Sequence, residues 1–96
     1  RESPSLDIYE ILKSENACIS VLDPFVPYFY DKEGKIINVI QDTTCDFNSY
    51  DCVVLLTKHR QFDYTEIEKQ SKVIVDTRNA WKGNNIKIFK VGGKNK

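Results

Sequence analysis

Methionine is absent from the 96-residue chain, tryptophan occurs once, and there are four glycines, three prolines and three cysteines. Neither a GxGxxG nor a GxxxxGK[ST] pattern occurs, and Gly34, Gly83, Gly92 and Gly93 open no strand-to-helix turn. The dinucleotide and phosphate-loop fingerprints are therefore excluded, because both need glycine where the backbone closes on a phosphate. Three is an odd count of cysteines, and no CxxC spacing suggests a zinc site or a redox dithiol. Cys18 and Cys52 sit in apolar runs and Cys45 in a polar stretch. No base or positive field can be named beside any of the three, so they read as structural or incidental thiols of a reducing compartment. Charge of one sign is also lacking. With 14 basic and 14 acidic residues, the chain has no electrostatic footprint for counterion release, which argues against a nucleic-acid partner. No stretch approaches the ~20 apolar residues that span a bilayer. The opening Arg1-Glu2-Ser3-Pro4-Ser5 is not apolar as a secretory leader would be. A soluble, cytoplasmic chain with no membrane partner and no metal is expected.

What is present is 41% apolar content in a length suited to one domain. A chain of this size buries about 60–65% of its unfolded surface, enough for a core of modest stability. Ser3 or Ser5 can cap a first helix, Pro4 suits its first turn, and Asp7 lies near its positive end. Leu6, Ile8, Ile11 and Leu12 recur at helical spacing to about Asn16. Ala17 to Leu22 is short, β-branched and apolar, and predicts a buried strand stopped by Asp23-Pro24. The proline-broken aromatic stretch from Phe25 to Tyr30 predicts a loop, Asp31 to Lys35 a charged turn around Gly34, and Ile36 to Ile40 a short strand. Cys52 to Leu56 is the strongest strand and, as an unbroken apolar run, is expected at the centre of a parallel sheet. Asp63 or Thr65 can cap a short helix to about Ser71, Val73-Ile74-Val75 predicts the next strand, and Ile86 to Val91 a last one after the Gly83-Asn84-Asn85 turn.

Strands alternating with helices imply an α/β fold: an open, parallel, Rossmann-like sheet with helices on both faces. Ligands of such sheets bind beyond the carboxyl ends of the strands. Those ends carry Asp23-Pro24, Thr57-Lys58-His59 and Asp76-Thr77-Arg78-Asn79. His59 could serve as a general base, but with no carboxylate at a definable spacing it reads first as a structural hydrogen-bonder. Asp76 reads as a carboxylate that stabilises the loop following it. Arg78 offers a planar fork for phosphate or carboxylate, with a surface salt bridge as its ordinary alternative.

Four segments now stand in order: Arg1-Glu2-Ser3-Pro4-Ser5, Val21-Leu22-Asp23-Pro24, Asp51 to His59 with Phe62, and Val73 to Asn79. Together they resemble the C-terminal domain of the UDP-glucose/GDP-mannose dehydrogenase family, from residue 1 to about Trp81. The ending Asp76-Thr77-Arg78-Asn79 is more similar to members acting on UDP-N-acetylhexosamines than to those acting on UDP-glucose. The resemblance implies that residues 1–96 are the nucleotide-sugar-binding domain of a larger dehydrogenase, with residues 92–96 a flexible tail. Such enzymes use NAD to oxidise the sugar C6 alcohol to a carboxylate through a thiohemiester. Their catalytic Cys lies in a glycine-rich segment of a middle domain and their NAD fingerprint in an N-terminal domain. Neither motif occurs here, so Cys18, Cys45 and Cys52 inherit no catalytic role. Arg78 matches the family's substrate-holding Arg, and Arg1 matches an Arg on the cofactor side. A substrate-binding Phe-Lys pair just upstream of that Arg in relatives is missing. The implied partners are a UDP-sugar, the N-terminal and middle domains of the same protein, and further copies in a homo-oligomer. A chain that opens inside a motif without Met agrees with a fragment. The competing expectation is a stand-alone flavodoxin-like α/β binding or signalling module, in which the ordered motifs are coincidence.

Overall fold

A computed structural model of the chain describes residues 4–91. They fall into two compact units, Arg1–Thr43 and Thr44–Lys96. The expectations for Ser3, for Arg1 and for the 92–96 tail lie outside the described residues.

In the first unit, helix α1 runs from Pro4 to Ser14, with Asp7 in its first turn and Lys13 in its last, both favourably placed in the helix dipole. Leu6, Ile8 and Leu12 are half-buried, whereas Ile11 is exposed. Asn16 ends the helix in the left-handed region at φ 67°. Its N–H donates to the Lys13 carbonyl (3.0 Å) and the Ala17 N–H to the Leu12 carbonyl (3.1 Å), which closes the last turn in the Schellman manner. Strands β1 (Tyr28–Tyr30) and β2 (Ile36–Asn38) form an antiparallel hairpin in which Phe29 faces Ile37. The Phe29 ring meets the Tyr9 ring of α1 edge-on at 5.3 Å. Asp31, 5% exposed, organises the hairpin turn. Its carboxylate takes the Lys13 ammonium and the N–H groups of Glu33 and Lys35, each at 2.9 Å. The Lys13 hydrogen bond, then the Lys35 amide, hold this carboxyl below its ordinary range despite burial.

Two expectations for this unit are corrected. Ala17 to Leu22 does not form a strand: among the described residues the run makes one isolated parallel bridge, Leu22 with Ile40, and Cys18 is exposed. β-branched composition supplies a preference for extended backbone, but a ladder also needs a partner along its length. Conversely, part of the expected 25–30 loop is strand β1. Pro27 stands just before its first residue, where a missing N–H is tolerated, and three consecutive aromatics favour a pleated surface.

The second unit carries the α/β fold. A single 3-10 turn (Phe47–Ser49) is capped by the Asp46 side chain, which accepts from the Asn48 N–H. Strands β3 (Val53–Leu55), β4 (Ile74–Asp76) and β5 (Ile88–Lys90) form an open parallel sheet of Rossmann-like type, in the order β3-β4-β5. Helix α2 (Tyr64–Gln70) joins β3 to β4, with the Asp63 carboxylate accepting from the Glu66 N–H as its N-cap. Phe47, Leu55, Ile67, Ile74 and Trp81 make the core, and Ile74 is fully buried. Among the described residues, the run expected at the centre is an edge of this sheet instead. β4 is paired on both sides, whereas Val54 of β3 is 37% exposed. An apolar run reports residue type along a strand and not how many neighbours the strand has. No helix among the described residues is long and apolar enough to cross a membrane.

Candidate functional site

The parallel sheet turns its carboxyl ends to two loops, residues 56–63 after β3 and 77–82 after β4. The second loop is built on Asp76. This side chain is 1% exposed, and its Oδ1 accepts from the N–H groups of Arg78 (3.0 Å) and Ala80 (3.1 Å), its Oδ2 from that of Trp81 (3.1 Å). Burial alone would raise this carboxyl. The amides of Trp81, Ala80 and Arg78, aided by the positive charge of Lys90, outweigh it and leave the group below its ordinary value. Asp76 is thus the loop-stabilising carboxylate expected of it, and its charge is used up by backbone.

Thr77 ties the loop to the neighbouring strand, its hydroxyl donating to the Leu55 carbonyl at 2.7 Å. Trp81 ties it to the other loop. The indole Nε1–H donates to the Tyr64 carbonyl at 2.8 Å, and the two rings meet edge-on at 5.4 Å. Tyr64 in turn accepts the His59 N–H on its hydroxyl and donates that hydroxyl's proton to the His59 carbonyl, each at 3.0 Å. Edge-on contacts link His59 to Phe62 and Phe62 to Tyr64. The aromatic chain holds both loops in one arrangement. His59 belongs to that scaffold through its backbone and ring, the structural use expected of it.

On this scaffold the Arg78 side chain is exposed and, among the described residues, pairs with no carboxylate. Lys58 and Arg60, on the loop after β3, are likewise exposed and paired with no carboxylate among the described residues. Asp23 belongs to the first unit, where its carboxylate accepts the N–H groups of Phe25 and Val26. Cys18 and Cys52 are exposed thiols, and the burial its sulfur does have pushes the Cys52 thiol up, away from an activated nucleophile. Tyr64 and Trp81 were not singled out by sequence reasoning. A lone Trp one turn beyond a strand end was the available clue.

An open parallel sheet with exposed cations beyond its carboxyl edge is of the α/β class whose ligands bind at that edge. Comparison with known proteins gives the particular family. The chain belongs to the UDP-glucose/GDP-mannose dehydrogenase family, whose UDP binding domain is matched by residues 1–83. It is 31% identical over 109 aligned positions to the UDP-N-acetyl-D-mannosamine dehydrogenase of Methanococcus vannielii, covering 96% of this chain and 23% of that protein. The chain thus spans less than a quarter of the length of that relative. No solved structure matches it significantly. A family match over residues 1–83 removes coincidence as the explanation of the ordered motifs. NAD, the cofactor the resemblance implies, finds no cradle among the described residues: they contain no glycine-rich strand-to-helix turn, and Gly34 and Gly83 both sit at positive φ in turns elsewhere.

Proposed function

We propose that residues 1–96 are the C-terminal UDP-sugar-binding domain of a larger, NAD-dependent UDP-N-acetylhexosamine 6-dehydrogenase, which oxidises the sugar C6 alcohol to a carboxylate. The observation that carries this is Arg78: an exposed guanidinium, paired with no carboxylate among the described residues, on a loop fixed by Asp76 at the carboxyl end of the central strand. Such a fork takes two oxygens of a diphosphate at once. Lys58 and Arg60 add positive potential at the same edge of the sheet. The relative acting on UDP-N-acetyl-D-mannosamine supports the sugar class. In this reading Arg1 faces the cofactor side, NAD and the catalytic Cys belong to N-terminal and middle domains, the whole protein is a cytoplasmic homo-oligomer, and its product serves polysaccharide biosynthesis.

The test is UDP titration of the chain and two variants, followed by amide chemical shifts. A charged hydrogen bond contributes about 1.5–3 kcal/mol, so Arg78→Ala weakens UDP about tenfold or more. Arg78→Lys recovers only part, since Lys restores the charge without the planar fork. Wild-type affinity in Arg78→Ala would remove Arg78 from the site.

A further inference from the structure

The loop that carries Arg78 is held from a second side, by a residue beyond the family match. Lys90 is the last residue of β5 and lies opposite Asp76 in the sheet register. Its ammonium donates to the Asn79 side-chain Oδ1 at 2.9 Å and also to the Trp81 carbonyl oxygen. Asn79 itself is in the left-handed region, at φ 54°. That conformation is open to Asn at small cost but is not one the chain adopts without a reason. The loop therefore has two complementary sets of tethers, interleaved along it. Asp76 gathers N–H groups of Arg78, Ala80 and Trp81, while Lys90 gathers oxygens of Asn79 and Trp81. The Arg78 side chain is tethered to none of the described residues.

We infer that Lys90 is a positioning residue for the UDP site, which fixes the left-handed turn at Asn79 and so presents the Arg78 guanidinium to diphosphate. The inference rests on the proposed role of Arg78. It adds that this grip depends on a third strand, outside residues 1–83. Lys90 acts through Arg78, so its effect vanishes when the guanidinium is gone. A direct contact with phosphate, or a general loss of stability, would persist without Arg78.

The experiment is a double-mutant cycle on the full 96-residue chain, reading UDP affinity from amide shifts. Lys90→Met keeps the aliphatic stem and removes the donors; Lys90→Arg keeps charge and donors. Positioning couplings of this kind correspond to about a fivefold change in affinity. Lys90→Met is expected to weaken UDP by about that factor, Lys90→Arg to restore most of it, and Lys90→Met in an Arg78→Ala background to have no further effect. Asn79→Gly keeps the left-handed backbone open and deletes the Oδ1 acceptor, and it should reproduce the Lys90→Met loss even if Lys90→Met folds poorly. Equal losses with and without Arg78, or unchanged affinity in both Lys90→Met and Asn79→Gly, would overturn the inference while leaving Arg78 in place. A wild-type chain with no UDP-dependent shifts would overturn the proposed function and this inference with it.

Discussion

Asp76 and Arg78 stand two residues apart and use their charges in opposite ways. The carboxylate is buried and spent on three backbone N–H groups; the guanidinium is exposed and meets no carboxylate among the described residues. Asp76→Asn turns one oxygen into an amine facing an N–H that needs an acceptor. We expect a loss of about 2 kcal/mol, the cost of a buried donor left unsatisfied, read from the urea midpoint. The depressed pKa sets the pH dependence. The unfolded chain binds the proton near pH 3.9 and the folded chain only below that, so the stabilisation is complete above the unfolded value and is lost as pH falls through the lower folded one. Asp31 is lowered in the same direction. Urea midpoints measured from pH 6 down should hold steady and then drop below about pH 4, with a shallower acid limb in Asp76→Asn. Asp76 was legible in the sequence because carboxylates after strands commonly accept from the next turn. Lys90 was not: its relation to Asp76 exists only in the register of β5 against β4, which no spacing along the chain encodes.

Among the elements, those announced by local chemistry were legible and those that depend on a partner were not. α1, α2 and the turn at Gly34 follow from caps, apolar spacing and glycine, which act within a few residues. The 17–22 run and the aromatic 28–30 strand were exchanged, since both have extended propensity and only tertiary pairing chooses between them. The rank of β3 as edge instead of centre was hidden for the same reason. Local chemistry can be tested locally. Gly34 has φ +83°, and a Cβ there meets nothing within 4 Å. Gly34→Ala should therefore cost only the left-handed backbone strain, about 1 kcal/mol, visible as a modest fall in thermal midpoint without spectral change. Asp63→Ala, which removes the α2 N-cap, should cost about 1 kcal/mol as well. Replacing Ile74, fully buried at the centre of the sheet, with Ala should cost about 2–5 kcal/mol. That contrast separates residues that shape an element from one that holds the sheet together.

At the scale of the whole molecule, the chain offers cations on one edge of one sheet and covers less than a quarter of the relative it matches. Association costs at least several kcal/mol before any contact is counted. Against this stand the proposed bidentate contact of Arg78, at about 1.5–3 kcal/mol per charged hydrogen bond, and the screened field of Lys58 and Arg60. The gain does little more than offset the cost, so the affinity is expected to be about 1 mM or weaker. Amide-shift titration of the 96-residue chain with UDP should show fast exchange and saturation only at millimolar ligand, centred on residues 77–82. Submicromolar binding would mean that the site is complete within this chain, contrary to the proposal that other domains of a larger enzyme complete it. The same chain, given NAD and UDP-N-acetylmannosamine, should produce no NADH. Hydride transfer needs a nicotinamide held against C6, and the described residues contain no glycine-rich dinucleotide cradle. Turnover that survives repurification would place catalysis in these residues and overturn the proposed division of labour between an anion-gripping sheet and separate oxidising domains.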